Sequence, residues 1–257
     1  MIVLKSEREI GLLREAGAIA CEALNWAGRN AVPGRTTAEL DAGVEEIIRS
    51  HGATPEFKGY HGFPASICAS INDEIVHGIP GPRELREGDL ISIDVGARYR
   101  DFVGDTARTF AVAESSASAR RLMKATEEAL EAAISAARVG GRLSEIARAV
   151  ERTAEEYGYG IVKDYAGHGV GRQMHEEPQV PNYLDANLLR HDLPLEVGLT
   201  IAIEPMLCIG SGKTRVAADR WTVLTADGGL AAHFEHSIAL TRKGPVVLTR
   251  CGVGETV

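Results

Sequence analysis

The chain has 257 residues, of which 44% are hydrophobic and 25% charged, and its formal net charge at pH 7 is −8. This composition is typical of a globular protein with one large domain or two fused halves, and it excludes disordered, collagen-like and small disulfide-stapled proteins. The excess of acidic residues disfavours a phosphate-binding surface, so we expect no nucleic-acid specificity.

Four helices are predicted from capping patterns and apolar periodicity. Ser6 with Glu9 and Thr36 with Glu39 are capping boxes, in which a hydroxyl and a carboxylate satisfy each other's backbone N–H groups. The predicted helices span 6–29, 37–51, 118–138 and 143–157.

Strands are predicted where Val, Ile, Thr and Phe alternate between Gly, Pro and Asp. These runs lie near 66–71, 90–95, 99–103, 107–113, 199–208, 220–225 and 234–241. The Gly- and Pro-rich segments 78–88 and 177–194 are predicted as loops. The strands outnumber what parallel β-α-β units need, so the pattern predicts an α+β fold with a curved antiparallel sheet and helices on its outer face.

An internal repeat divides the chain. Segment 34–52 resembles 141–158, and LREGDLISID (85–94) aligns with LEVGLTIAIE (195–204), which places Asp94 on Glu204. Two matched blocks at nearly equal offsets predict a duplicated unit. We therefore expect one domain over 1–257, made of two pseudo-symmetric halves of about 1–115 and 116–257.

Four acidic residues lie in or at the ends of apolar strands. They are Asp94, Asp105, Glu204 and Glu235. Each alone fits a turn or a salt bridge, but the same strands hold few basic residues, and four buried carboxylates need positive charge. Two divalent cations would supply it, because carboxylates can bridge ions about 3.5 to 4 Å apart. His168, between two glycines, is a possible softer ligand, although an isolated histidine in such a loop is more often a capping or core residue.

In this order and in these local sequences, the four acids and His168 resemble the five metal ligands of the methionine aminopeptidases, in their short bacterial type I form. The resemblance covers essentially the whole chain and includes SINDEIVHGIP (70–80), GHGVGRQMHEEPQV (167–180), TIAIEPM (200–206) and FEHSIALT (234–241). It implies a duplicated pita-bread fold. It also implies an enzyme that removes the N-terminal methionine from nascent, deformylated proteins and from peptides when the second residue is small, by hydrolysis assisted by two metal ions.

The resemblance also implies a role for each site residue. Asp94 would chelate one ion, His168 and Glu204 the other, and Asp105 and Glu235 would bridge both. Glu204 would accept a proton, and His77 and His175 would contact the scissile amide. The pocket for the methionine side chain would be walled by Tyr60, Phe63, Cys68 and Trp221. Met174 departs from the aromatic residue common at its place in the family, and His51, His61, His191, His233 and His236 have no comparable support.

The ligand types suit Co²⁺, Mn²⁺ or Fe²⁺ without selecting among them. The N-terminus has no apolar signal region, no stretch approaches the about 18 to 20 apolar residues of a membrane span, and the cysteines form neither a CxxC pair nor a dense framework. We therefore expect a cytoplasmic protein with no membrane partner. The resemblance further implies a monomer that contacts the ribosome transiently.

Two alternatives remain open from the sequence. One is a prolidase or an aminopeptidase P-like enzyme with the same ligand types, although those relatives usually carry an extra N-terminal domain. The other is a catalytically silent binding module of the same fold, which would not need five intact ligands.

Overall fold

The computed structural model describes residues 2–250; Met1 and the end of the predicted domain, 251–257, lie outside the described residues. The described part contains five α-helices and a short 3-10 helix, Tyr60–Gly62. The α-helices are α1 (Glu7–Asn30), α2 (Thr37–Ser50), α3 (Ala117–Ala136), α4 (Leu143–Tyr157) and α5 (Ala186–Arg190). Both predicted capping boxes are present, and the Ser6 and Thr36 hydroxyls accept from the backbone N–H groups of Glu9 and Glu39.

Fifteen short strands complete the described part. They are β1 (Thr54–Pro55), β2 (Ile67–Ile71), β3 (Glu74–Val76), β4 (Leu90–Tyr99), β5 (Phe102–Ala111), β6 (Gly160–Ile161), β7 (Gly167–Gly169), β8 (Glu176–Val180), β9 (Thr200–Ile203), β10 (Met206–Cys208), β11 (Thr214–Val216), β12 (Val223–Thr225), β13 (Ala231–His233), β14 (Glu235–Thr241) and β15 (Gly244–Val247). Nine of them form one antiparallel sheet in the order β1-β4-β5-β14-β9-β7-β8, with β2 beside β4 and β15 beside β14. The α+β fold with a curved antiparallel sheet is therefore confirmed.

Three predicted elements were wrong in detail. The run near 99–103 is interrupted by a two-residue hairpin turn, because Arg100 and Asp101 have φ angles of 49° and 69° and Tyr99 pairs with Phe102. The run 199–208 is interrupted at Pro205, which has no N–H to donate, and its two parts enter different sheets. The predicted loop 177–194 contains most of β8 and all of α5.

The misread loop has a physical explanation. Strand β8 forms by pairing with β7, and the composition of the segment alone does not predict this pairing. Helix α5 is capped by Asp185, whose carboxylate accepts a hydrogen bond from the Leu188 N–H at 2.7 Å. The turn-forming residues around this cap obscured it in the sequence.

The two halves make equivalent contacts. Gly34 N–H donates to Leu85 O at 2.8 Å, and Gly140 N–H, one residue before the aligned block 141–158, donates to Leu195 O at 2.9 Å. Each half also has its own apolar core, one around α2, β2 and β4 and the other around α3, α4 and β9. These contacts support the duplication, and the division near residue 115 stays a prediction.

Helix α1 lies directly against the sheet. A Cβ on Gly104 of β5 would lie 2.4 Å from the Gly17 Cα, so Gly104 is needed for this close approach, while a Cβ on Gly17 would lie 2.3 Å from Leu248 O. The packing covers one face of β4 and β5 and leaves the other face for the site. Among the described residues no helix is long and apolar enough to cross a membrane.

Candidate metal centre and substrate pocket

The four acidic side chains come together on one face of the large sheet. Asp94 lies in β4 and Asp105 in β5, opposite Gly96, so the two carboxylates point to the same face of the hairpin. Glu204 follows β9 directly, and Glu235 is the first residue of β14. Asp105 and Glu235 are buried, with 4% and 2% of their surface exposed.

The contact between β5 and β14 brings Asp105 beside Glu235. The two strands pair through two residue pairs, Glu235 with Ala107 and His236 with Thr106. Hydrogen bonds from two side-chain hydroxyls add to this pairing. The Thr106 hydroxyl donates to Glu235 O at 2.8 Å. The Ser237 hydroxyl donates to Asp105 O at 2.8 Å and accepts from Asp105 N at 3.2 Å. This seam joins the two halves of the sheet and holds one acid from each.

Burial raises the pKa values of all four carboxyls; the charge of Glu56 adds to the rise at Asp105, and repulsion within the cluster adds to it at Asp94, Glu204 and Glu235. Burial is the largest cause in each case, and it raises the pKa of Asp105 to about 7. The pKa values of Asp94, Glu204 and Glu235 lie well above the usual range, with the neighbouring carboxylates as the second cause. The cluster is therefore unfavourable as four anions unless positive charge is supplied.

His168 presents a free ring nitrogen to the acids. It lies in β7, is 7% exposed, and its Nδ1 donates to the Gly169 carbonyl at 2.9 Å. The Nε2 atom therefore carries a lone pair, and it lies 3.7 Å from both Asp105 Oδ2 and Glu204 Oε1. Burial lowers the pKa of His168 to about 4, so the ring is neutral, as a metal ligand requires.

These residues fit divalent cations. Asp105, His168 and Glu235 each offer one ligand atom, and the three atoms lie within 4.8 Å of one another. Asp94 Oδ1, Asp105 Oδ1 and Glu235 Oε1 are buried and have no hydrogen-bond partner within residues 2–250. Buried carboxylate oxygens without donors require another positive group, and a set of oxygens with one imidazole nitrogen suits divalent ions such as Mn²⁺, Fe²⁺ or Co²⁺.

Two further histidines face the same space. His175 packs against His168 with ring centroids 4.2 Å apart, and its Nδ1 lies 2.7 Å from the Tyr60 hydroxyl. His77 has a φ of 60° and packs edge-on against Tyr165. Burial lowers the pKa of both rings, that of His77 to about 4, so both are neutral near pH 7. A neutral ring whose Nδ1 accepts from Tyr60 can donate through Nε2.

A cavity of about 220 Å³ opens beside the acids. Phe63 and Trp221 meet edge to face in its wall, with ring centroids 5.2 Å apart. The cavity is lined by every residue that the sequence predicted for the site: Tyr60, Phe63, Cys68, His77, Asp94, Asp105, His168, His175, Glu204, Trp221 and Glu235. The structure thus brings the whole predicted set together, while the role of each member stays a prediction.

Sequence reasoning passed over two wall residues, Phe57 and Val76. Met174 and His61 also line the cavity. Phe57 could have been found from the scarcity of aromatic residues, since the chain has only five phenylalanines. Met174, 5% exposed, contributes a flexible thioether to the wall.

The sequence also gave no weight to His233. This residue is 1% exposed, and its Nε2 lies 3.8 Å from Glu204 Oε2 and 3.9 Å from Glu235 Oε2, with no hydrogen-bond partner within residues 2–250. Its position two residues before Glu235 in an extended segment was the available signal, because alternate residues share a face. By contrast, His51 contacts Glu22 and His236 contacts Thr249, both away from the cavity.

The chain is similar to known metallopeptidases over nearly its whole length. The model for metallopeptidase family M24 matches residues 11–242. The methionine aminopeptidase of Clostridium acetobutylicum is 46% identical over 98% of this chain and all of that protein. Methionine aminopeptidase 1 of Mycobacterium tuberculosis is 49% identical over 95% of this chain and 94% of that protein.

Solved structures of metallopeptidases are also similar to this chain over nearly its whole length. The methionine aminopeptidase of Rickettsia prowazekii superposes with a TM-score of 0.94 at 36% identity, covering 97% of this chain and all of that one. The prolidase of Pyrococcus furiosus superposes with a TM-score of 0.78 at 26% identity, and the match covers 97% of this chain but only 66% of the prolidase.

Proposed function

Since this chain belongs to metallopeptidase family M24, within its methionine aminopeptidases, we propose that it removes the N-terminal methionine from proteins and peptides whose second residue is small. The natural substrates are deformylated nascent chains in the cytoplasm. The protein acts as a monomer that contacts the ribosome only transiently, and it recognises neither nucleic acid nor membrane.

The five predicted ligands would hold two divalent ions. Asp105 and Glu235, which lie with His168 within 4.8 Å of one another, would be shared by both ions. Asp94 would complete one site, and His168 with Glu204 would complete the other. When bound, the ions acidify a water molecule and polarise the scissile carbonyl. Co²⁺, Mn²⁺ and Fe²⁺ all suit this donor set.

The side chains around the ions move protons and stabilise charge. Glu204 accepts the proton of the attacking water at its carboxylate. His175, whose Nδ1 contacts the Tyr60 hydroxyl, donates through Nε2 to the oxygen on which negative charge develops. His77, which also lines the cavity, contacts the scissile amide. Both rings are neutral near pH 7, which suits hydrogen-bond donation without a competing charge beside the ions.

The cavity wall accounts for methionine as the first residue. Tyr60, Phe63, Cys68 and Trp221 surround a space suited to an unbranched thioether, and the polarisable Cys68 sulfur and aromatic edges favour sulfur contacts. A small second residue is expected from the similarity to the methionine aminopeptidases.

The observation that carries this proposal is the set of buried carboxylate oxygens without partners, which faces His168 across the cavity. The experiment is hydrolysis of Met-Ala-Ser and of Ala-Pro-Ala by the protein, with a chelator and after addition of Mn²⁺ or Co²⁺. Metal-dependent release of methionine from the first peptide alone supports the proposal. Cleavage of Ala-Pro-Ala instead would favour the prolidase alternative, and no cleavage of either with any metal would favour the silent binding module.

A further inference from the structure

A buried ion pair ties the start of the chain to the loop that carries His175. Lys5 Nζ lies 2.6 Å from Glu176 Oε2, and the two side chains are 4% and 16% exposed. Glu176 follows His175 directly in the chain, yet neither member of the pair lines the cavity. The pair therefore contacts the site only through the backbone of this loop.

The loop over residues 171–175 is wrapped around the Glu176 carboxylate. Glu176 Oε1 accepts from the Gln173 N–H at 3.2 Å, while the Gly171 N–H donates to Gln173 O at 3.0 Å. A Cβ on Gly171 would lie 2.3 Å from Glu176 Oε1 and 2.6 Å from Lys5 Cε. The loop thus leaves room for this carboxylate and this lysine stem, and its conformation depends on both.

Lys5 is itself held in place independently of Glu176. Its Nζ also donates to Val3 O at 2.8 Å, and its backbone N–H donates to Gly198 O at 2.7 Å. A buried ammonium that has lost its water is stable only where oriented acceptors replace that water. The lysine consequently offers a fixed point to the carboxylate, unlike a mobile surface lysine.

We propose that Lys5 is a positioning residue for His175, acting through Glu176. The inference rests on the proposed function, in which His175 donates to the reacting oxygen. Tyr60 orients the ring through Nδ1, and the ion pair sets the backbone from which the ring extends. Catalysis is sensitive to such placement, since a displacement of about 1 Å can lower a rate by about 100-fold.

The first test is Lys5→Met, which keeps the apolar stem and removes the ammonium. We expect kcat on Met-Ala-Ser to fall by about 10- to 100-fold, KM to change by less than about 3-fold, and metal content to stay the same. The NMR resonances of the His175 imidazole should shift. The matched control is Lys124→Met, which breaks an exposed pair with Glu128 at 3.6 Å and should change none of these quantities.

The second test is the double variant Lys5→Met with Glu176→Gln. Its kcat loss should be smaller than the product of the two single losses, because a neutral amide tolerates an apolar neighbour better than an unpaired carboxylate does. If Lys5→Met does not fold, Glu176→Gln alone should still lower kcat and shift the His175 resonances.

Two results would overturn the inference. One is a Lys5→Met protein that melts earlier but, where still folded, keeps its kcat and its His175 resonances; the other is a set of losses that simply multiply. Failure of the proposed function is seen separately, in an unsubstituted protein that does not cleave Met-Ala-Ser with any metal. The His175 resonances of Lys5→Met would test the positioning even then.

Discussion

Replacing Asp105 by asparagine should stabilise the metal-free protein and remove its activity. The carboxyl is buried beside other acids, and its pKa is about 7 in the fold against 3.8 for an ordinary aspartate. The folded state therefore keeps a proton that the unfolded chain has lost. Stability from this group is fully present below pH 3.8 and is lost as the pH rises through about 7.

The size of the effect follows from the two pKa values. At about 1.36 kcal/mol for each pKa unit, the interval from 3.8 to about 7 corresponds to about 4 kcal/mol. Asparagine cannot ionise and so avoids this loss, but its amide is buried in the same place. We therefore expect a net gain of about 1 to 3 kcal/mol in the free energy of unfolding at pH 8, and less than half of that at pH 5.

The assay is urea unfolding with a chelator present, at both pH values, for the unsubstituted protein and for Asp105→Asn. Glu46→Gln on the exposed face of α2 is the control and should change stability little at either pH. With metal added, Asp105→Asn should lose at least about 100-fold in kcat/KM, since a bridging ligand serves both ions. A metal-free Asp105→Asn protein that is less stable at pH 8 would refute the argument from the raised pKa of the buried Asp105 carboxyl.

Three further outcomes are expected. Chelation should lower both the melting temperature and the activity, and Mn²⁺ or Co²⁺ should restore them, because cations offset the repulsion of the buried acids; thermal melting and peptide hydrolysis check this. His77→Ala and His175→Ala should each lower kcat by about 10² to 10⁴ with metal content unchanged, whereas lost metal would identify them as ligands. A β-branched second residue should cost about 1 to 3 kcal/mol, so Met-Ile-Ser should be cleaved about 5- to 150-fold less efficiently than Met-Ala-Ser in the same peptide assay.

Local signals predicted the helices and the ends of several strands well. Helices α1 and α2 begin one residue after Ser6 and Thr36, because a capping box is formed entirely by residues three apart. Short strands were poorly predicted for the opposite reason. Strand β7 has three residues and contains His168, and it exists only because β8 and β9 supply its hydrogen bonds.

The identities of the site residues could be predicted from their order along the chain and from local motifs. Their proximity in space results from tertiary packing. Asp94 and Asp105 lie on one hairpin, so their common face follows from the alternation of a single strand pair. His233 carried no motif, and only the fold brings its ring to within 4 Å of Glu204 and Glu235. The link from Lys5 to Glu176 likewise joins residues 171 positions apart, which no local pattern could report.

The sequence by itself determined the duplicated helix and strand patterns, the acids at strand ends and the family, because these are properties of neighbouring residues and of motifs. The tertiary structure alone decided that Asp105 meets Glu235, through the Thr106 and Ser237 hydroxyls at the seam between the halves. This contact between Asp105 and Glu235 joins strands about 130 residues apart in the chain. It is stable only because both halves have buried their own apolar cores against the sheet.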